Sequence, residues 1–133
     1  MDIYALIRKD HEDIKRMIDQ IQKIPVERHA ERLRHFYVLK ESLLAHNEAE
    51  EESFYVALEQ HAKTRDDAHY SEKEHHEADY ILERLDDKSL GPVAWGVKFT
   101  RLCDAVLKHI DKEEGHIFTE AKDVLTPDIA QQL

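Results

Sequence analysis

Apolar residues recur three or four positions apart along almost the whole chain, and the strict alternation of a half-buried strand is found nowhere. The first run, 2–24, opens at Asp2 as an N-cap, turns Leu6, Ile7, Ile14, Met17, Ile18 and Ile21 to one side and stops before Pro25. The second, 26–62, follows a proline suited to a first turn and carries Leu33, Phe36, Leu39, Leu43, Phe54 and Leu58 before the polar stretch Lys63 to Asp67. The third, 68–87, turns Ile81, Leu82 and Leu85 inward and ends in the turn-like Asp86, Asp87, Lys88, Ser89 and Gly91. The fourth, 92–125, starts at Pro92 and presents Val97, Phe99, Leu102, Val106, Ile110 and Ile117; Thr126-Pro127 then caps a short turn over 127–132. Connections this short make successive helices antiparallel, so residues 1–133 are expected to form a single all-α domain, an up-down-up-down four-helix bundle.

The pattern also repeats. Shifting the second run by 63 residues lays Phe36 on Phe99, Leu39 on Leu102, Leu43 on Val106, His46 on His109, Glu50 on Glu113 and Phe54 on Ile117. Shifting the first by 64 lays Asp10-His11 on Glu74-His75, Ile14 on Ala78, Met17 on Ile81, Ile18 on Leu82 and Ile21 on Leu85. Each copy therefore offers one histidine from its first helix and His-x-x-x-Glu from its second, a spacing that puts the histidine and the acid one turn apart on one face. That face is the apolar one, so the polar side chains point into the core. A buried, unpaired carboxylate is unfavourable by several kcal/mol. Four imidazoles and two carboxylates at one height of a bundle form a mixed nitrogen and oxygen donor set suited to iron, manganese or zinc. Six donors can saturate one octahedral ion, or serve two ions with two histidines each and both glutamates as bridges; the second count, with an oxo or hydroxo group, leaves a position open on each ion.

Composition narrows the function. Asp and Glu number 29 against 19 Lys and Arg, a net charge of −10 that repels phosphate backbones and anionic lipid, so neither nucleic acid nor a membrane surface is expected as a partner. One cysteine allows no internal disulfide and no thiolate cluster, and no apolar run approaches the roughly 20 residues that span a bilayer. The opening MDIYALIRKD lacks the basic-then-apolar order of a signal peptide, which predicts a cytoplasmic protein. Histidine, at ten copies, is the outlier.

Asp10-His11, His46-x-x-x-Glu50, Glu74-His75 and His109-x-x-x-Glu113, in that order on four helices, resemble the hemerythrin-like family, also called the HHE cation-binding domain, over nearly the whole chain. The resemblance implies a non-haem di-iron centre of two Fe2+/Fe3+ ions with an oxo or hydroxo bridge, manganese or zinc being substitutes. His11, His46, His75 and His109 would be terminal ligands, and Glu50 and Glu113 bridges. It further implies binding or reduction of a small ligand, O2, NO or H2O2, by a possible oxidoreductase. The alternatives are a non-catalytic iron or oxygen sensor, or an iron donor for iron–sulfur cluster repair acting on a redox or iron-accepting protein. The set differs from that of the oxygen-carrying hemerythrins, whose third helix has His-x-x-x-His and whose bridging Asp follows its histidine by five residues: here Asp79 and Ser71 flank His75, and Glu113 follows His109 by four. It is closer to the four-His, two-Glu proteins of bacteria.

Five further residues are candidates for an extra ligand or a support to the ligands. His116 follows Glu113 by three on the inward face; Asp79, one turn after His75, could accept that ring's second N–H; His76 is the alternative to its neighbour; Tyr4 and Tyr55 could reach a bound oxygen species. Glu51 and Glu114 point about 100° away from the two proposed bridges and are expected on a solvated face. His29, His35, His61 and His69 are expected at the surface, and Cys103 as a small buried apolar residue.

Overall fold

The computed structural model describes residues 1–133, none of them in a strand. Helix α1 spans Ile3–Gln22, α2 His29–Glu52, α3 Phe54–Glu59, α4 Arg65–Leu85, α5 Pro92–Lys112, α6 Phe118–Val124 and α7 Pro127–Gln132, with a 3-10 turn at Val26–Arg28 and a π segment at Glu113–Ile117. The four long helices, α1, α2, α4 and α5, make an all-helical bundle in which α1 lies along α2 and α4 along α5. The starts are set locally. Asp2 accepts from the Ala5 amide at 2.9 Å and Thr126 from the Ile129 amide at 3.3 Å, while Pro92 and Pro127 occupy first turns, where a missing N–H is harmless.

Two apolar clusters fill the interior. In one, Trp95 stacks on Phe99 (5.1 Å between centroids) and meets the edge of Phe36 at 5.5 Å, among residues that include Ile14, Leu43, Ala78, Val106 and Ile110. The Trp95 indole donates to the Leu85 carbonyl at 3.1 Å, and Arg32 spans the same end, donating to the Pro92 carbonyl at 2.8 Å above the Trp95 ring. In the other, Tyr4, Phe54 and Phe118 pack edge to face beside Ile7, Ala68 and Ile117. His11, His46, His75 and His109 stand in the register between Ile7 and Ile14, Leu43 and Phe54, Ala68 and Ala78, and Val106 and Ile117, so the polar layer is sealed by apolar layers on both sides.

The structure differs from the expected elements in four places. The second run is not continuous: Ser53 sits at φ −125°, ψ −74°, outside the helical region, and its hydroxyl donates to the Ala49 carbonyl at 2.6 Å. The third helix begins earlier, at Arg65, because Asp66 and Asp67 suit the positive end of a first turn. The fourth widens into the π segment. Leu6 and Val97, expected inward, are exposed, since Ile3, Ile7 and His11 on α1 and Trp95, Phe99 and Leu102 on α5 already occupy the inward arc.

Candidate metal centre

Six side chains from four elements meet in the sealed layer: His11 from α1, His46 and Glu50 from α2, His75 from α4, His109 from α5 and Glu113 from the π segment, all 8% exposed or less. Their donor atoms fall into two groups that could each hold an ion, His11 with His46, Glu50 and Glu113, and His75 with His109 and Glu50, each within 4.8 Å. His46 Nε2 lies 2.8 Å and His75 Nε2 3.6 Å from Glu50 Oε1; His11 Nε2 lies 3.2 Å from Glu113 Oε1 and His109 Nε2 3.3 Å from Glu113 Oε2. His75 and His109 bring their Nε2 atoms within 3.2 Å.

The outer nitrogen of every ring is held by a carboxylate from a neighbouring helix. His11 Nδ1 donates to Glu114 at 2.7 Å, His46 Nδ1 to Asp10 at 2.9 Å, His75 Nδ1 to Glu51 at 3.0 Å and His109 Nδ1 to Glu74 at 2.9 Å. The four contacts obey the sequence repeat, with Asp10 and Glu74 serving the second histidine of each half and Glu51 and Glu114 the first histidine of the other half. A proton fixed on Nδ1 leaves the Nε2 lone pair facing inward, as metal-ligating histidines require. Glu51 and Glu114 are therefore not on a solvated face, as the sequence suggested. Their 100° offset from Glu50 and Glu113 aims them at the adjacent helix, where an imidazole meets them.

The inward atoms fit a cation. His11 Nε2, His46 Nε2, both oxygens of Glu50 and Glu113 Oε1 are buried without a hydrogen-bond partner, so lone pairs only 2.8 to 3.2 Å apart face one another with nothing between them to satisfy both. Such atoms are strongly unfavourable unless a proton or a metal ion bridges them. Electrostatics agrees: burial and the neighbouring Glu113 carboxylate push Glu50 well above the usual carboxylate range. For Glu113, burial acts upward, but its close contacts with Glu50, His109 and His11 hold it well below that range. Burial, then His109, lowers His75 to about 3. His109 is raised to about 9: burial opposes this, and hydrogen bonds to Glu113 and Glu74 prevail.

Tyr55 joins the site because the break at Ser53 redirects the chain. Its buried hydroxyl donates to Glu113 Oε2 and lies 3.4 Å from His75 Nε2 and 3.3 Å from His109 Nε2. On the opposite side of the rings, towards Leu43, a cavity of about 20 Å³, room for one water-sized molecule, touches all four histidines. Its other walls are mostly apolar, from Ile14, Leu43, Ala78, Val106 and Ile110, with Asn47 supplying a buried amide among them.

The other candidates stand outside the six. His116 is exposed, its Nε2 3.3 Å from Asp67, because the wide turns of the π segment carry it out of the inward face. His76 is exposed. Asp79 is half-buried, and Glu51, not Asp79, accepts from His75. Tyr4 packs against Phe54 and Phe118, with its hydroxyl buried and unpartnered. His35 and His69 are exposed, His61 is partly so, and His29 meets Trp95 edge to face beside Arg32. Cys103 is buried, and burial pushes its thiol up to about 12.

Besides Glu51 and Glu114, Asn47 went unread in the sequence. The repeat held a signal for it, since the residue 63 positions on is Ile110: a polar group replaces an apolar one at an inward site. No helix is long and apolar enough to cross a membrane. Comparisons with curated proteins and with solved structures return no match. A sequence profile of the hemerythrin HHE cation binding domain matches residues 2–121. With that match running through all four histidines and both glutamates, the chain belongs to the hemerythrin HHE cation-binding family.

Proposed function

We propose that the chain is a non-haem di-iron protein that binds or reduces O2, NO or H2O2 at a carboxylate-bridged centre. His11 and His46 would serve one ion and His75 and His109 the other, with Glu50 and Glu113 between them. The observation that carries this reading is that unsatisfied inward nitrogens of His11 and His46 face unsatisfied oxygens of Glu50 and Glu113, in a layer where all four rings have their other nitrogen fixed by a carboxylate. Iron bound there would supply redox chemistry and an open coordination position to a small ligand. The protein's own part is to present preset imidazoles and to exclude bulk water with two apolar clusters. The small cavity beside the rings suits a ligand of a few atoms at most, and Asn47 is among the residues that line it. The Tyr55 hydroxyl holds Glu113 in place and keeps a proton beside the site, burial and then Glu50 raising that phenol well above its ordinary value.

Metal analysis with near-ultraviolet spectroscopy of the iron-loaded chain tests the proposal. Two irons per chain with oxo-bridge charge-transfer bands, followed by consumption of peroxide or NO, is the expected result. Two irons with spectral changes but no turnover would turn the reading into a sensor or iron donor. A single ion, or zinc that does not exchange, would overturn it.

A further inference from the structure

The two halves of the chain diverge along one edge of the centre. The shift of 63 residues lays Ala45 and Ala49 of α2 on Lys108 and Lys112 of α5, and the shift of 64 lays Asp10 and Asp13 of α1 on Glu74 and Glu77 of α4. In the second half Lys112 Nζ lies 3.4 Å from Glu74 Oε1 and 3.6 Å from the centroid of the Tyr70 ring. The carboxylate that accepts from His109 thus already has a cation beside it, and a lysine stem covers the α4–α5 seam at that level; the groove farther along the seam, between Tyr80, Arg84, Lys98 and Arg101, reaches none of the six donors.

No lysine covers the first half, where Arg16 pairs with Asp13 but no lysine or arginine lies beside Asp10. Ala45 and Ala49 are exposed, and the seam between α1 and α2 opens as two adjoining grooves of about 270 and 260 Å³. Asp10 and His46 line both; Asp13 lines the first, and Ala49 and Glu50 the second. Asp10 is held to His46 by one oxygen, yet its side chain is 53% exposed. Glu50, at the floor, is 2% exposed, and neither of its oxygens has a hydrogen-bond partner. The seam therefore runs from half-solvated carboxylates at its mouth to an unsatisfied one inside.

We propose that the α1–α2 seam is the path by which a divalent cation reaches the buried donors, Asp10 drawing it in at the mouth and Glu50 receiving it. This rests on the reading that the six donors hold metal. Lysines at positions 108 and 112 repel a cation from the matching seam of the other half, so uptake is one-sided although the centre itself is nearly symmetric.

The test is the rate at which metal-free full-length protein takes up Co2+ alone, followed by visible absorption at low ionic strength, with final metal content measured separately. Ala49→Lys, which copies the covered half, should slow uptake by about tenfold or more, as should Ala45→Lys, with final content unchanged. Both positions are exposed on α2, so the pair guards against misfolding of either variant. Asp13→Asn, which leaves the Arg16 charge unpaired beside the mouth, should slow uptake severalfold, and the difference should shrink in salt, because exposed charges are screened. Lys108→Ala should load at the native rate or faster. Native chain that loads fully while both lysine variants load at its rate overturns the path alone; native chain that takes up no metal overturns the metal reading as well.

Discussion

Each inward imidazole depends on a carboxylate from the next helix, so the acids divide into two kinds with different consequences when removed. Glu50 and Glu113 face one another between the rings, whereas Glu51, Glu114, Asp10 and Glu74 meet the rings at their outer nitrogens. Glu50→Ala is expected to abolish the paired site and reduce metal content. Glu51→Gln and Glu114→Gln should keep the full content but weaken affinity about 10- to 100-fold, because an amide orients the ring less strongly and lowers its basicity. Competitive titration against a chelator, with metal analysis, checks both, and equal losses across the three variants would refute the division. The inward stripe of histidines and glutamates was legible in the sequence because histidines and acids share the period of the apolar face and occur twice. The outer acids were not legible: helical angle says which way Glu51 points, but only the neighbouring helix determines that His75 lies there.

At the scale of elements, both halves lose regular helix immediately after the inner glutamate, one by the break at Ser53 and the other by the π segment Glu113–Ile117. The break lets Tyr55 turn towards Glu113; the π segment sends His116 outward while Glu114 reaches His11. Apolar periodicity foretold four helices but not these interruptions, since Ser53 carries no glycine or proline signal and Phe54, Leu58 and Ile117 keep the inward period across them. Gly115, inside the π segment, has no positive φ, and a Cβ added there would meet nothing within 4 Å. Its substitution therefore separates backbone entropy from packing. Gly115→Ala should stabilise the protein by about 0.4–1 kcal/mol, read from urea denaturation, by restricting the unfolded chain. Gly96→Ala should gain less, because its Cβ would come within 3.3 Å of Arg32 Nη1, the guanidinium that spans the bundle end above Trp95. Destabilisation by Gly115→Ala would show that the π segment needs the freedom of glycine.

For the whole molecule, the sealed polar layer makes stability depend on what fills it. Without metal, protons must do so, and the groups respond to pH with opposite signs. His109 is raised to about 9 from an ordinary value of 6.5, since its hydrogen bonds to Glu113 and Glu74 outweigh burial. Its contribution is thus fully present below 6.5 and lost as pH climbs through about 9. Glu50, raised by burial and by Glu113, has the same sign: folded protein favours its proton, and alkali removes that advantage. His75, lowered to about 3 by burial and His109, acts the other way, its contribution present above 6.5 and lost as pH falls towards 3. Metal-free protein should therefore be most stable near neutral pH and lose about 3 kcal/mol from His109 alone between pH 6.5 and 9. A bound cation replaces that proton, so the metal-loaded chain should be more stable overall and lose much less over the same interval, and loading at pH 7 should release protons into a weakly buffered solution. Urea denaturation of chelator-treated and metal-loaded protein at both pH values checks the sign. Parallel curves for the two forms would mean that metal does not occupy the histidine layer.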